Sequence, residues 1–275
     1  MTAVPEDVEW KLLADLVRDR MGLQFDGGRR ELLASKLRPR LRDLHLRSFT
    51  EYYHYLRFHP SSASEFRNLA THVTNNETYF FREAHQFDLL VRNVIPPLMP
   101  SLRARPLRLL SAGCSSGEEA YSLVIALQNS GLELGGLRWT IDGCDVSADR
   151  IARARAGVYD EIALRACDAG ARARYFTPRD GRFQLKDRHR KGVTFQEANL
   201  ADSAGAVREG YHAIFCRNLL IYFSPDAFDQ LIARFARWLE PGGYLFLGHS
   251  ESLIDRGSAF LPVCLGQHVV YRKLA

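Results

Sequence analysis

Over residues 1–73 the apolar positions recur every three or four residues, with no alternating stretch that would mark a strand. Val8, Leu12, Leu13, Leu16 and Val17 predict one amphipathic helix that ends near Gly22. Leu33, Leu37, Leu41 and Leu44 predict a second, which Pro39 should kink because it removes a backbone donor. Ser48-x-x-Glu51 and Ser62-x-x-Glu65 have the form of capping boxes opening two more helices, the last with Phe66, Leu69 and Val73 inside.

From Phe87 onward helix and strand patterns alternate, which is the signature of a parallel sheet covered by helices. Leu107–Ser111, Trp139–Cys144, Tyr211–Cys216 and Tyr244–Leu247 read as strands, with a last one near His268–Tyr271. Helices are expected over Glu118–Gln128, after Ser147, and after Ser224-Pro225, the last with Phe228, Leu231, Ile232, Phe235 and Trp238 on its core face. Phe183–Leu185 and Val193–Gln196 flank a basic turn and read as a hairpin leaving the main sheet at about 181–195. The expected organisation is a helical domain at 1–73, a linker at 74–90 and an α/β domain at 91–275.

Composition narrows the class. A chain of 275 residues can bury one large core or two smaller ones. No apolar run reaches the roughly 18 residues that a membrane span needs, and Pro5, Glu6, Asp7 and Glu9 are unlike a secretory leader, so a cytoplasmic protein is expected. The five cysteines are odd in number and widely spaced, which predicts reduced, mostly buried thiols and neither a disulfide framework nor a metal pair. A net charge of +5 suits an acidic protein or a nucleic acid equally. Seven of the basic residues fall within Arg29–Arg47, and on an unbroken helix Arg29, Lys36, Arg40 and Arg47 would share one stripe, either a solvated face or a docking surface for an acidic partner.

The chemistry concentrates at strand ends. After Leu107–Ser111 the turn Gly113–Gly117 leads straight into a helix, an arrangement that brings backbone N–H groups close to a nucleotide-like ligand. Ser115-x-x-Glu118 also reads as an ordinary capping box. Asp145 closes the next strand, where a carboxylate can accept from both hydroxyls of a ribose. Thr74–Arg82 is polar and aromatic without period, and suits a linker that walls a ligand site.

Taken together, TNNETYFFRE (74–83), LLSAGCSSGEEAYSL (109–123), GCDVS (143–147), FQEANL (195–200), FCRNLLIYF (215–223) and LEPGGYLFLGHSESL (239–253) resemble the CheR-type methyltransferases, which methylate glutamates on bacterial chemotaxis receptors. The combination of NETxFFR with CRNxxIYF is specific, and Ala120 and Ser116 are small departures from the usual pattern. The resemblance implies a class I, Rossmann-like, S-adenosylmethionine-binding domain with an all-α N-terminal domain for substrate docking and a β excursion. It further implies that Asn76, Thr78, Arg82, Glu118, Asp145, Asn199, Leu200, Arg217 and Asn218 line the cofactor site. Arg82 and Tyr222 would hold the reacting carboxylate, the first as a forked cation and the second through its hydroxyl. The implied partner is the cytoplasmic helical region of a chemoreceptor, met by a monomeric enzyme without metal or membrane insertion. Two other readings fit the residues: a nucleic-acid methyltransferase, which the basic balance permits, and an adaptor that binds S-adenosylmethionine without turning it over.

Overall fold

The computed structural model describes residues 7–24, 30–73, 77–201, 207–254, 256 and 259–274. In chain order the helices are α1 (Asp7–Met21), α2 (Arg30–Asp43), α3 (Phe49–Phe58), α4 (Ser62–Val73), α5 (His85–Leu89), α6 (Ile95–Leu102), α7 (Glu118–Asn129), α8 (Ala148–Ala156), α9 (Ala169–Tyr175) and α10 (Pro225–Trp238). The strands are β1 (Leu107–Ala112), β2 (Trp139–Asp145), β3 (Val158–Tyr159), β4 (Phe176–Arg179), β5 (Arg182–Leu185), β6 (Val193–Glu197), β7 (Tyr211–Cys216), β8 (Leu239–Leu247), β9 (Phe260–Leu265) and β10 (His268–Lys273). The chain forms two compact units, one of Met1–Asn76 with Ala201–Ser203 and Leu219–Leu231, the other of the remainder.

In the helical unit α1 buries Leu13 and Val17 as expected, but its buried stripe is turned away from Val8 and Leu12. Trp10, Leu13, Ala14, Val17 and Met21 are buried, whereas Val8 is 71% and Leu12 46% exposed. Both stripes have helical spacing, and the one carrying the tryptophan wins because an indole buries far more apolar area than a valine. Its ring meets Phe49 of α3 edge-on at 6.1 Å. Helix α2 carries Pro39 within it and buries Leu33, Leu37 and Leu41 as expected. It stops at Asp43 because His45 takes a left-handed conformation (φ 57°) and Leu46 N–H bonds back to the Leu41 carbonyl at 2.8 Å, a Schellman-like end.

The two expected capping boxes come out differently. Ser48 caps α3, accepting from Glu51 N–H, while the Glu51 carboxylate takes the N–H of Arg47. At α4 Ser62 is already helical, and Glu65 turns inward, 2% exposed. Its oxygens accept from Arg40 Nε (2.7 Å) and Nη2 (2.5 Å) on α2 and from Tyr52 Oη (2.8 Å) on α3. Three helices are thereby tied to one buried carboxylate.

The segment Leu219–Leu231 also belongs to this unit. Ser224 N–H donates to the Gly22 carbonyl at 2.7 Å, Gln24 N–H to the Tyr222 carbonyl at 2.8 Å, and Leu23 bridges Phe223. The α/β domain expected over 91–275 therefore surrenders this stretch to the helical unit.

The second unit is built on a seven-stranded sheet in the order β6-β2-β1-β7-β8-β10-β9. β6, β2, β1, β7 and β8 pair in parallel, and β10 runs antiparallel to both β8 and β9. Successive crossovers leave β1 in opposite directions, so the carboxyl ends of β1 and β7 flank the topological switch point, where ligands bind in open α/β sheets. Under it lies a core in which Phe215 stacks on Phe246 at 4.3 Å and Leu109, Leu123, Val124 and Ile141 are fully buried.

The β excursion is real but earlier in the chain than expected. β4 and β5 form the hairpin, with β3 on the far side of β5, while β6 is an edge strand of the main sheet. The basic stretch that resembled a hairpin turn contains a single helical turn, Asp187–His189, between the two sheets.

Candidate functional site

The turn after β1 is held by β2. Gly113 and Cys114 N–H both donate to the Cys144 carbonyl at 2.9 Å, and Ser115, at φ 48°, donates its N–H to Asp145 Oδ2 at 2.9 Å. Asp145 Oδ1 takes Ser147 N–H at 2.9 Å, so one carboxylate ties the loops that follow β1 and β2. The Val146 N–H bonds the same carboxylate, which keeps lone-pair capacity for a ligand hydroxyl. Gly117, at φ 92°, ends the turn, and a Cβ there would stand 2.9 Å from Ala154 of α8. Gly143 is needed for space alone, since a Cβ would meet the Phe195 ring at 2.7 Å.

Gly117, and not Ser115, is the N-cap of α7, and it makes no side-chain cap bond. The capping reading of Ser115-x-x-Glu118 is therefore replaced: Glu118 is the first residue of α7, 3% exposed, accepting from Ser116 Oγ at 3.0 Å and Thr78 Oγ1 at 3.3 Å. Thr78 thus brings the 77–82 segment onto the head of α7. Burial pushes the Glu118, Glu119 and Asp145 carboxyls above their ordinary values. Three such carboxylates, two at the head of α7 and one at the end of β2, are suited to a cationic ligand.

Glu119 lies one residue on, accepting from Ser111 Oγ (2.7 Å) and Arg217 Nη1 (3.2 Å). Arg217, at the end of β7, also donates to the Arg82 carbonyl and lies 3.7 Å from Glu83. Arg82 sits between two non-glycine residues in left-handed conformations, Phe81 (φ 59°) and Glu83 (φ 52°). Such backbone persists only where its surroundings over-determine it. Phe80 N–H to the Ala163 carbonyl, Phe81 N–H to Ser122 Oγ and the Arg217 bond supply that constraint. Asn218, also left-handed at φ 58°, donates its N–H to Glu251 Oε2, which takes Gly248 N–H as well.

Thr78, Arg82, Glu118, Asp145, Arg217 and Asn218 are accordingly all placed by the carboxyl ends of β1, β2 and β7. Asn199 and Leu200 follow β6, where Ala198 N–H bonds the Asp145 carbonyl and the Leu200 carbonyl takes Arg234 Nη1. Asn76 and Arg29 lie outside the described residues. Tyr222 is half-buried and belongs to the helical unit, whereas Arg82 belongs to the other.

The basic stripe dissolves: Lys36 Nζ donates to the Val73 carbonyl at the end of α4, Arg40 is spent on Glu65, and Arg47 lies beyond the end of α2. Sequence reasoning missed Glu119 and Glu83, although the acidic pair in SGEE was a visible signal. Four of the five cysteines are buried as expected, with Cys264 exposed, and all five are free.

S-adenosylmethionine fits these residues. It carries an ammonium and a sulfonium for the carboxylates, and a ribose for Asp145. Ser115 Oγ, Asn218 Oδ1 and Arg217 Nε are buried polar atoms without a hydrogen-bond partner among the described residues, and each could serve a polar ligand. Among the described residues no cluster of three metal-ligating side chains occurs.

Two family models match the chain: the all-alpha domain of CheR methyltransferase over residues 9–74 and its SAM binding domain over 76–265. "Chemotaxis protein methyltransferase 2" of Vibrio cholerae is 34% identical over 92% of this chain and 88% of its own length. "Chemotaxis protein methyltransferase" of Vibrio parahaemolyticus is 32% identical over 99% of both chains. "Probable biofilm formation methyltransferase WspC" of Pseudomonas putida is 35% identical over 93% of this chain, which spans 59% of that longer protein. With its all-alpha and SAM binding domains matched in order, the chain belongs to the CheR methyltransferases, enzymes dependent on S-adenosylmethionine.

Proposed function

We propose that the protein methylates glutamate side chains in the cytoplasmic helical region of chemoreceptors, giving the methyl ester and S-adenosylhomocysteine. Bound S-adenosylmethionine supplies an electrophilic methyl on a sulfonium. A glutamate carboxylate, with an unperturbed pKa of about 4.3, is already ionised at neutral pH, so no general base is required. With the cofactor bound, its methyl would pass to the carboxylate oxygen as the carbon–sulfur bond broke and left its electron pair on sulfur, with Arg82 and Tyr222 holding the carboxylate. The protein's contribution is orientation, which can supply up to about 7–11 kcal/mol.

Thr78, Glu118, Asp145, Asn199, Leu200, Arg217 and Asn218, with Asn76, are assigned to the cofactor, Arg82 and Tyr222 to the carboxylate. The observation that carries this reading is the strained turn at Arg82, pinned by Arg217 and joined through Thr78 to the cofactor-side carboxylate of Glu118. The names of the relatives at 32–34% identity support the chemotaxis setting. A cytoplasmic location follows from that partner, and no described helix is long and apolar enough to cross a membrane.

The test is incubation with methyl-labelled S-adenosylmethionine and either a receptor cytoplasmic fragment or total nucleic acid. Label on the receptor fragment that mild alkali releases as methanol is expected. Label on nucleic acid, or alkali-stable label on protein, would overturn the assignment.

A further inference from the structure

Resting on the assignment of Arg82 to the substrate carboxylate, we infer that Tyr79, held by Arg165 and Glu77, is a positioning residue for the Arg82 guanidinium. Arginine has many rotamers, and one that must offer its fork to a carboxylate has to be stopped from sampling them. Two contacts stop it here. Arg82 Nη1 donates to the Glu77 carbonyl at 2.6 Å and the guanidinium lies 5.9 Å from the centre of the Tyr79 ring, while the backbone N–H of Arg82 bonds the Tyr79 carbonyl at 3.3 Å and closes the turn that carries both side chains. Of the five donors of the guanidinium, Glu77 engages one, so the fork keeps donors for a ligand.

The ring that guides Arg82 is itself fixed. The Arg165 guanidinium packs 3.6 Å from its centre and forms an ion pair with the Glu77 carboxylate. Arg165 Nη1 also donates to the Ile162 carbonyl, and Phe80 N–H bonds the Ala163 carbonyl, which pins the turn carrying Arg165 to the strand of chain carrying Tyr79. Glu77 therefore serves both arginines, by its carbonyl and by its carboxylate, and Tyr79 serves both by its ring. Without the Glu77 charge two guanidiniums on one ring would repel each other. With it the cation over the ring is compensated, and the Arg82 charge is left for the substrate. Thr78, next to Tyr79 in the chain, and Arg217, which holds the Arg82 carbonyl, link this group to the cofactor side.

The experiment compares Tyr79→Leu, Tyr79→Phe, Arg165→Ala and Arg82→Ala in the full chain. It measures methylation of a receptor cytoplasmic fragment, S-adenosylhomocysteine affinity by calorimetry, and thermal unfolding. Tyr79→Leu is expected to raise KM for the fragment about three- to tenfold with product affinity and Tm unchanged. Tyr79→Phe, which keeps the ring, should behave as wild type, and Arg165→Ala should shift KM in the same direction by less. Loss in Arg82→Ala beside wild-type kinetics in Tyr79→Leu would overturn this inference alone. So would equal effects of Tyr79→Leu and Tyr79→Phe, or a lowered Tm with an unchanged KM. Wild-type methylation by Arg82→Ala would overturn the assignment beneath it.

Discussion

Glu65 and Glu118 are both buried carboxylates, 2% and 3% exposed, yet their surroundings are opposites. In the helical unit Glu65 meets a bidentate arginine and a tyrosine hydroxyl, and its charge is matched where it stands. Burial and the neighbouring Glu65 charge push the Tyr52 hydroxyl well above the usual range, so it remains a donor to that carboxylate. In the sheet unit Glu118 accepts from two hydroxyls and a backbone N–H, the Arg150 charge helps it least, and burial outweighs them all and lifts its pKa. A closed ion pair fixes a fold. A carboxylate left short of positive charge stores the capacity to bind a cation, at a cost to the free protein's stability.

The contrast can be broken first where it is strongest. Arg40→Ala should destabilise the protein by about 3–5 kcal/mol, because Glu65 would remain buried without its partner. Denaturant unfolding measures it. A loss under about 1 kcal/mol would mean that the pair behaves as a surface bridge.

Asp145→Ala should weaken S-adenosylhomocysteine binding by about 1–3 kcal/mol, since a charged acceptor for the ribose is lost. Calorimetric titration is the check. Because this carboxylate also holds the Ser115 and Ser147 N–H groups, part of the effect should appear as lowered stability of the free protein.

Glu118→Gln sharpens the comparison through pH. A carboxyl whose folded value is raised binds more protons folded than unfolded, so its contribution to stability declines as pH rises from the ordinary value of 4.5 toward the raised one. The variant should flatten that decline and be more stable than wild type at neutral pH while binding the product less tightly. A variant less stable at every pH would count against stored charge at this position.

The smallest effect is expected from His189→Gln. Burial, then the Arg188 charge, pushes this imidazole down to about 4. The ring accepts at Nε2 from Arg188 Nε and donates at Nδ1 to Gln128, which fixes the neutral form. A lowered folded value means that stability is lost as pH falls from 6.5 through about 4, and the variant should lose less over that window. Identical acid unfolding curves for variant and wild type would remove His189 from the account.

Legibility in the sequence followed the same division. β1 and β7 were readable because strands buried on both faces are largely apolar runs, whereas β2 alternates buried Ile141 and Gly143 with exposed Thr140 and half-buried Asp142, and Asp145 was readable because it ends that strand. Glu65 was misread because Ser62-x-x-Glu65 satisfies a local pattern, while the Arg40 that claims the carboxylate stands 25 residues away. Trp10 was overlooked as the anchor of α1 because two stripes were available and only tertiary packing chooses between them. The hairpin was placed too late because Pro178 disguises β4, a strand that can hold proline since it lies at the edge of its sheet. The better signal was Asp180-Gly181, both at positive φ (49° and 72°), the pair favoured in tight hairpin turns. Glu119 and Arg217 were within reach of the motifs, but their joining across 98 residues was not.

The membership of Leu219–Leu231 in the helical unit bears on how this architecture can be taken apart or recombined. The unit is not a continuous length of polypeptide: the chain leaves it, builds most of the sheet, and returns to complete it. A fragment ending near residue 76 would strip Gly22, Leu23 and Gln24 of the partners that Tyr222, Phe223 and Ser224 supply. Because these links run between main-chain groups, a helical segment taken from elsewhere must bring a turn of the same backbone shape at 22–24 if the returning stretch is to close onto it.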